Sequence, residues 1–158
     1  MDTVLDWNGK LDVPHALLLD HDEVRIGLVR ARLVGGPITE TSERLAQLCL
    51  PHFEYEEQSV FPVLALLPHL TPANLRMEMM GAMPLISEFN AKHEALARDH
   101  QSIQDALLAL LRTAHKLKNR EVAKLAYRLR IHERIEDEVI YPTVVLIGHY
   151  LQEKFSNQ

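Results

Sequence analysis

The sequence predicts an all-α protein, an antiparallel up-down four-helix bundle with a short extra helix before helix three and a C-terminal helical tail. Three observations point there. Apolar residues recur at three- and four-residue spacing along four long stretches. No run alternates apolar and polar residues as a half-buried strand does, and glycine and asparagine turns are too few for hairpins. The long stretches are joined by short connections, which sets neighbouring helices antiparallel.

The elements follow in order. Residues 1–13 show no periodicity, and Trp7-Asn8-Gly9-Lys10 reads as a turn in an N-terminal arm. Pro14 suits a first helical turn, and Leu17, Leu18, His21, Val24, Leu28 and Leu33 form one stripe, so the first helix covers 14–34 and ends at Gly35-Gly36-Pro37. The second is expected from Thr39, as a hydroxyl cap, through Leu45, Leu48, His52, Glu56 and Val60, with a bend at Pro51 and an end or kink at Pro62. Pro68 makes that stop firmer. Thr71-Pro72 reads as the start of a short helix that Gly81 and Pro84 break. From Pro84 the stripe Leu85, Phe89, Leu96, His100, Ile103, Leu107, Leu110 and Leu111 continues to about Lys116. The fourth helix carries Val122, Leu125, Leu129, His132, Glu136 and Val139, and residues 143–155 are apolar enough to pack as a tail.

Composition bounds the function. With 158 residues, 47% hydrophobic and 25% charged, the chain fits one domain, residues 1–158, with the bundle at about 14–145. A net charge of −5 and scattered lysines and arginines, with no basic run interleaved with aromatics, argue against a nucleic-acid partner. The N-terminus lacks a signal-peptide pattern and no stretch approaches the roughly 20 apolar residues of a membrane span. A cytoplasmic protein without a membrane partner is expected, and the single Cys49 fits a reducing compartment. A homodimer stays open.

The chemistry is concentrated in a repeat. His52-Phe53-Glu54-Tyr55-Glu56-Glu57-Gln58-Ser59-Val60-Phe61-Pro62 is echoed 80 residues later by His132-Glu133-Arg134-Ile135-Glu136-Asp137-Glu138-Val139-Ile140-Tyr141-Pro142. Asp20-His21 and Asp99-His100 are related by 79 residues. Each half thus supplies a His and then a His-x-x-x-Glu, whose two side chains lie one turn apart on one helical face. With loops near Gly36 and Lys116, His21, His52, His100 and His132 each lie about 15 or 16 residues from a turn and share a level to within roughly one turn at ~1.5 Å per residue. Imidazole nitrogen with carboxylate oxygen suits Fe, Mn or Zn rather than the all-oxygen sites of Ca or Mg. The candidate metal ligands are therefore His21, His52, Glu56, His100, His132 and Glu136.

Any one buried histidine is more often a hydrogen-bonded packing residue than a ligand. Burying four with two glutamates and no cation, however, leaves polar groups with a heavy desolvation cost. The same level-counting leaves His15 and His93 out, each about 9–10 Å along the axis from its neighbour in the site. Glu57 and Asp137 read as lying behind the ligands or in solvent. Phe53, Tyr55, Phe61 and Tyr141 read as core, Tyr141 being able to donate a hydrogen bond near the site. Cys49 reads as a small buried hydrophobe, His69, His115 and His149 as surface, and Met77, Met79, Met80 and Met83 as flexible packing.

These residues, with the aromatic-proline pairs Phe61-Pro62 and Tyr141-Pro142, resemble the hemerythrin-like (HHE cation-binding) family over about residues 14–145. The resemblance implies two non-haem iron ions bridged by Glu56 and Glu136 and by an oxo or hydroxo group, with His21, His52, His100 and His132 as terminal ligands; Zn or Mn would accept several of the same donors. The partner it implies is oxygen, nitric oxide or peroxide. One position departs from the oxygen-carrying members, which have two ligand histidines four apart on the third helix: Leu96 and Gln104 flank His100 at that spacing. The departure favours sensing or redox chemistry over reversible transport. An iron-storage or delivery module and a ferritin-like di-metal oxidase are the alternatives, with a purely structural bundle beyond them; the oxidase would require Glu-x-x-His on two helices, and the order here is His-x-x-x-Glu.

Overall fold

The computed structural model describes residues 9–156, which are helical over most of their length and contain no strand. The turn expected at Trp7–Lys10 falls partly outside the described residues. Beyond it, Leu11 and Val13 of the arm pack on the apolar core.

Helix α1 spans His15–Arg32, preceded by Pro14 as its stripe requires. Leu33, assigned to that stripe, is 81% exposed because the helix ends at it. Gly35 and Gly36 then reverse the chain at φ +96° and +58°, a backbone region that glycine enters without strain. Helix α2 consequently starts at the glycine itself and spans Gly36–Tyr55. Thr39 is not its cap. Its hydroxyl accepts the Gly35 N–H at 2.9 Å and donates to the Arg32 carbonyl at 2.8 Å, stitching the turn from inside. Helix α2 also runs through Pro51. The carbonyl that this proline leaves unpaired belongs to Gln47, and both residues are exposed, so water can take the bond.

Pro62 neither ends nor interrupts the helical path. Helix α2 passes into a π-helical turn, Glu56–Val60, and then a 3-10 helix, Phe61–His69. The repeat does the same: α4, Arg120–Ile135, passes into a π turn, Glu136–Ile140, and then α5, Tyr141–Phe155. In both copies the aromatic before the proline donates its N–H to the carbonyl of the glutamate five residues back, Phe61 to Glu56 and Tyr141 to Glu136. A proline ring crowds the carbonyl four residues behind it, and a wider turn relieves that crowding. The extra residue shifts the helical phase. Val139, expected inward on a regular period, is 56% exposed, while Ile140 and Tyr141 are buried.

Thr71-Pro72 does not start a helix. Asn74 closes a single turn on the Thr71 carbonyl, Arg76 is extended, and the short helix is a 3-10 segment at Met77–Ala82. The distance from Pro72 to the Gly81 and Pro84 breakers is too short for an α-helix to recover its nucleation cost. Helix α3 then runs over Met83–Lys116, and Asn119 caps α4 by accepting the Val122 N–H at 3.0 Å.

Helices α1 and α2, α2 and α3, α3 and α4, and α4 and α1 pack pairwise, which closes a ring of four. Two apolar layers fill it. One gathers Val24, Leu28, Leu45, Ile103, Leu107 and Leu129 near the 33–35 and 117–119 loops; the other gathers Val60, Phe61, Phe89, Leu96, Ile140 and Val144. In sequence, His100 separates Leu96 of one layer from Ile103 of the other, and His132 separates Leu129 from Ile140. The polar residues therefore form a band between two dry layers. Among the described residues no helix is long and apolar enough to cross a membrane.

Candidate metal centre

All six candidate ligands meet in this band. His21, Glu56, Glu136 and His132 form one group, and His52, Glu56, His100 and Glu136 a second; within each group one donor atom per residue lies within 4.8 Å of the others. We refer to these as the α1–α4 group and the α2–α3 group, after the helices that carry their histidines.

The two glutamates belong to both groups, and their oxygens divide between them. Glu136 turns Oε1 to His132 Nε2 at 2.6 Å and His21 Nε2 at 3.6 Å, and Oε2 to His100 Nε2 at 3.3 Å. Glu56 turns Oε2 to His21 Nε2 at 3.4 Å and Oε1 to His52 Nε2 at 3.7 Å. Both carboxylates are fully buried. Each sits at the first residue of a π turn, so the local distortion of the two helices is centred on the residues that enter both groups.

Behind the cage a set of acids fixes the histidine rings. His21 donates from Nδ1 to Glu57 at 2.7 Å, His100 to Asp137 at 2.8 Å and His132 to Asp20 at 2.5 Å; His52 Nδ1 is 3.7 Å from Asp99. A carboxylate on Nδ1–H leaves Nε2 as the nitrogen facing inward, whose lone pair is available to a cation once its proton is displaced, the usual arrangement behind a metal-binding imidazole. Glu57 is itself paired with Arg25 at 2.9 Å and Asp20 with Arg128 at 2.9 Å. Glu57 and Asp137 thus lie behind His21 and His100, and Asp20 takes the same part behind His132; Asp99 stands too far from His52 Nδ1 for a hydrogen bond and leaves that nitrogen without a partner.

Electrostatics reflects the crowding. Burial opposes charge on His21, but contacts with Glu136, Glu56 and Glu57 outweigh it and raise the imidazolium to about 9. Burial likewise opposes charge on His100 and His132, which Glu136 and, for His132, Asp20 raise to about 9 and about 10. His52 goes the other way, pushed down to about 4 by burial and by His100, whose Nε2 is 2.9 Å from its own. Burial raises Glu56 to about 7, with the Glu136 charge adding to it, whereas three histidines hold Glu136 well below the usual carboxylate range against its burial. Burial also pushes up the thiol of Cys49 and the phenol of Tyr141.

A cation fits this set. The buried atoms His21 Nε2, His132 Nε2, Glu56 Oε2 and both oxygens of Glu136 make no well-aligned hydrogen bond within the protein and have only one another to face, His132 Nε2 and Glu136 Oε1 at 2.6 Å. Nitrogen and carboxylate atoms converging in a dry band are costly to bury, and protons on the imidazoles meet that cost only in part, so the buried His/Glu cluster could hold a metal ion. The mixed N/O donor set is that of Fe, Mn or Zn.

The surroundings of the two groups differ. Phe53 stacks on His21, with ring centroids 3.9 Å apart, and Phe61 lies 5.0 Å from it. Beside the α2–α3 group stand Tyr141, whose hydroxyl donates to Glu56 Oε1 at 2.7 Å and lies 3.2 Å from His100 Nε2, and Glu133, with Oε2 3.4 Å from His100 Nε2. Tyr141 fulfils the expected hydrogen bond. Glu133 is a buried acid outside the His-x-x-x-Glu spacing, since it follows His132 directly; its signal in the sequence is the contrast with Phe53 at the equivalent place in the other copy.

His15 and His93 are exposed and stand outside both groups, as their axial offset required, with His93 edge-on to Phe89 at 5.6 Å. His115 and His149 are exposed and His69 is half-buried. Cys49 and Met79 are buried in the core, and Tyr55 is half-buried with Lys92 4.5 Å above its ring. Comparison with protein-family models, with curated proteins and with solved structures gives no match in any of the three, so what this site does has to be argued from its own residues.

Proposed function

We propose that this chain is a hemerythrin-like protein: an antiparallel up-down four-helix bundle that holds two iron ions and binds, senses or reacts with oxygen, nitric oxide or peroxide. The observation that carries the reading is the division of the glutamate oxygens. A carboxylate that serves one ion needs only one histidine pair about it. Glu56 and Glu136 each send one oxygen to one pair and one to the other, as a bridge between two cations requires. In this reading His21 and His132 hold one ion, His52 and His100 the other, and both glutamates are shared.

A pair of iron ions supplies exchangeable coordination positions and a one-electron redox change at each ion. The protein supplies the rest. Asp20, Glu57 and Asp137 hold three imidazoles in the tautomer that presents Nε2 inward. Two apolar layers keep bulk water from the band, and Tyr141 offers a hydroxyl proton at Glu56 Oε1. Four residues on either side of His100 stand a buried Leu96 and a half-buried Gln104, neither an imidazole, which supports sensing or redox turnover over reversible oxygen transport.

Metal analysis of protein produced in iron-replete medium, followed by optical spectra of the anaerobically reduced sample, tests the proposal. Two irons per chain and a spectral change on adding oxygen, nitric oxide or peroxide are expected. A protein that takes up no iron, or takes it up without responding to any of the three, would overturn it.

A further inference from the structure

The internal repeat makes the two histidine pairs equivalents of each other, and a comparison across it isolates one residue. His21 corresponds to His100 and His52 to His132. Phe53 and Glu133 follow the second histidine of each copy and are likewise equivalents, 80 residues apart. Phe53 covers the face of His21 with its ring; Glu133 sets a carboxylate against His100, the counterpart, at 3.4 Å from the inward-facing Nε2. The same place in the fold is apolar in one half and anionic in the other.

Packing alone does not account for Glu133. It is fully buried, and neither of its oxygens has a hydrogen-bond partner. No lysine or arginine among the described residues forms an ion pair with it, and the nearby Tyr141 hydroxyl is directed to Glu56 instead. The one polar group facing it, His100 Nε2 at 3.4 Å, is shared with Glu136 Oε2 at 3.3 Å, so a buried carboxylate here costs more than the aromatic that occupies the equivalent position.

We propose that Glu133 is a seventh metal ligand, serving the ion held between His52 and His100, so that the two metal positions of the cage are chemically unequal. The inference rests on the dinuclear reading above. The α2–α3 position is then richer in oxygen donors, with Glu56, Glu136 and Glu133 beside two imidazoles, while the α1–α4 position has two imidazoles, the two shared carboxylates and a wall of Phe53 and Phe61. An exogenous ligand would therefore compete with an additional protein carboxylate at one ion, whereas beside the other stand the rings of Phe53 and Phe61.

Titration of the metal-free protein with Co2+, read by visible absorption and by equilibrium dialysis, tests this without reference to activity. Wild type is expected to bind two ions, and Glu133→Gln, which keeps the shape and removes the charge, to bind one of them unchanged and the other roughly tenfold or more weakly, since loss of even an outlying partner costs about that much. Thermal melts of the two metal-free proteins keep the comparison interpretable: the Gln variant should be no less stable than wild type. Should it fail to fold, Glu133→Asp, which retains the charge on a shorter arm, is expected to weaken the same single ion. Two ions bound by a folded variant with wild-type affinities would overturn the ligand assignment alone; wild type binding fewer than two would overturn the dinuclear reading with it.

Discussion

His132 shows what a single residue contributes to this site. One ring nitrogen donates to Asp20, which Arg128 also holds, and the other faces Glu136. The outer bond fixes the tautomer and the inner nitrogen is left to bind. Asp20→Asn replaces an anionic acceptor by a neutral one of the same shape, and metal affinity should fall roughly 10- to 100-fold, measured by competition with a chelator; unchanged affinity would show that Asp20 has no part in the site. Residues such as His132 were legible in the sequence because a spacing of four on a helix is a statement about geometry. Asp20 was legible as a repeated Asp-His pair but not by role, since its partner lies 112 residues away on another helix. Glu133 was not legible as a site residue: it stands next to a histidine, about 100° round the helix, and only the packing of α4 against α3 decides that it turns towards His100.

The helices explain which parts of the pattern could be read and which could not. Helices α1, α3 and the first parts of α2 and α4 follow regular 3.6-residue periodicity and were readable. The π turns were not, because the signal of a proline inside a helical pattern is the same for a kink, a stop and a widened turn. Val139 is the consequence: its place was read from a period that the Glu136–Ile140 turn breaks. Contact between helices sets a second limit. At Gly27 a Cβ would meet Leu125 Cδ1 at 2.5 Å, so α1 and α4 approach each other over a position with no side chain. Gly27→Ala must turn the terminal methyl of Leu125 aside, a cost that the roughly 1 kcal/mol gained by alanine over glycine inside a helix offsets, so chemical denaturation should show a net change within about 1 kcal/mol; a larger loss would mean that Leu125 has no room to move.

For the whole molecule the site governs how stability depends on pH. In metal-free protein, His21, His100 and His132 are raised from the ordinary 6.5 to about 9, 9 and 10, so their contribution is complete below about pH 6.5 and is lost as pH rises through 9–10. Glu56 and Glu133, raised from 4.5 to about 7 and 8 mainly by burial, act in the same sense, losing stability as pH rises through 7–8. His52, lowered to about 4, and Asp20, lowered to about 2, lose theirs only on the acid side. The metal-free fold should therefore melt at progressively lower temperature between pH 7 and 10. Metal binding displaces those same protons, so the stabilisation from added metal should grow over this interval; melting curves of both forms check it, and parallel curves would count against a cage whose protons and cations compete. If Glu56 and Glu136 join two ions, magnetic susceptibility of the iron-reconstituted, oxidised protein should show a spin-coupled pair with a moment well below that of two independent high-spin ferric ions; two magnetically independent irons, or a single one, would contradict the bridge.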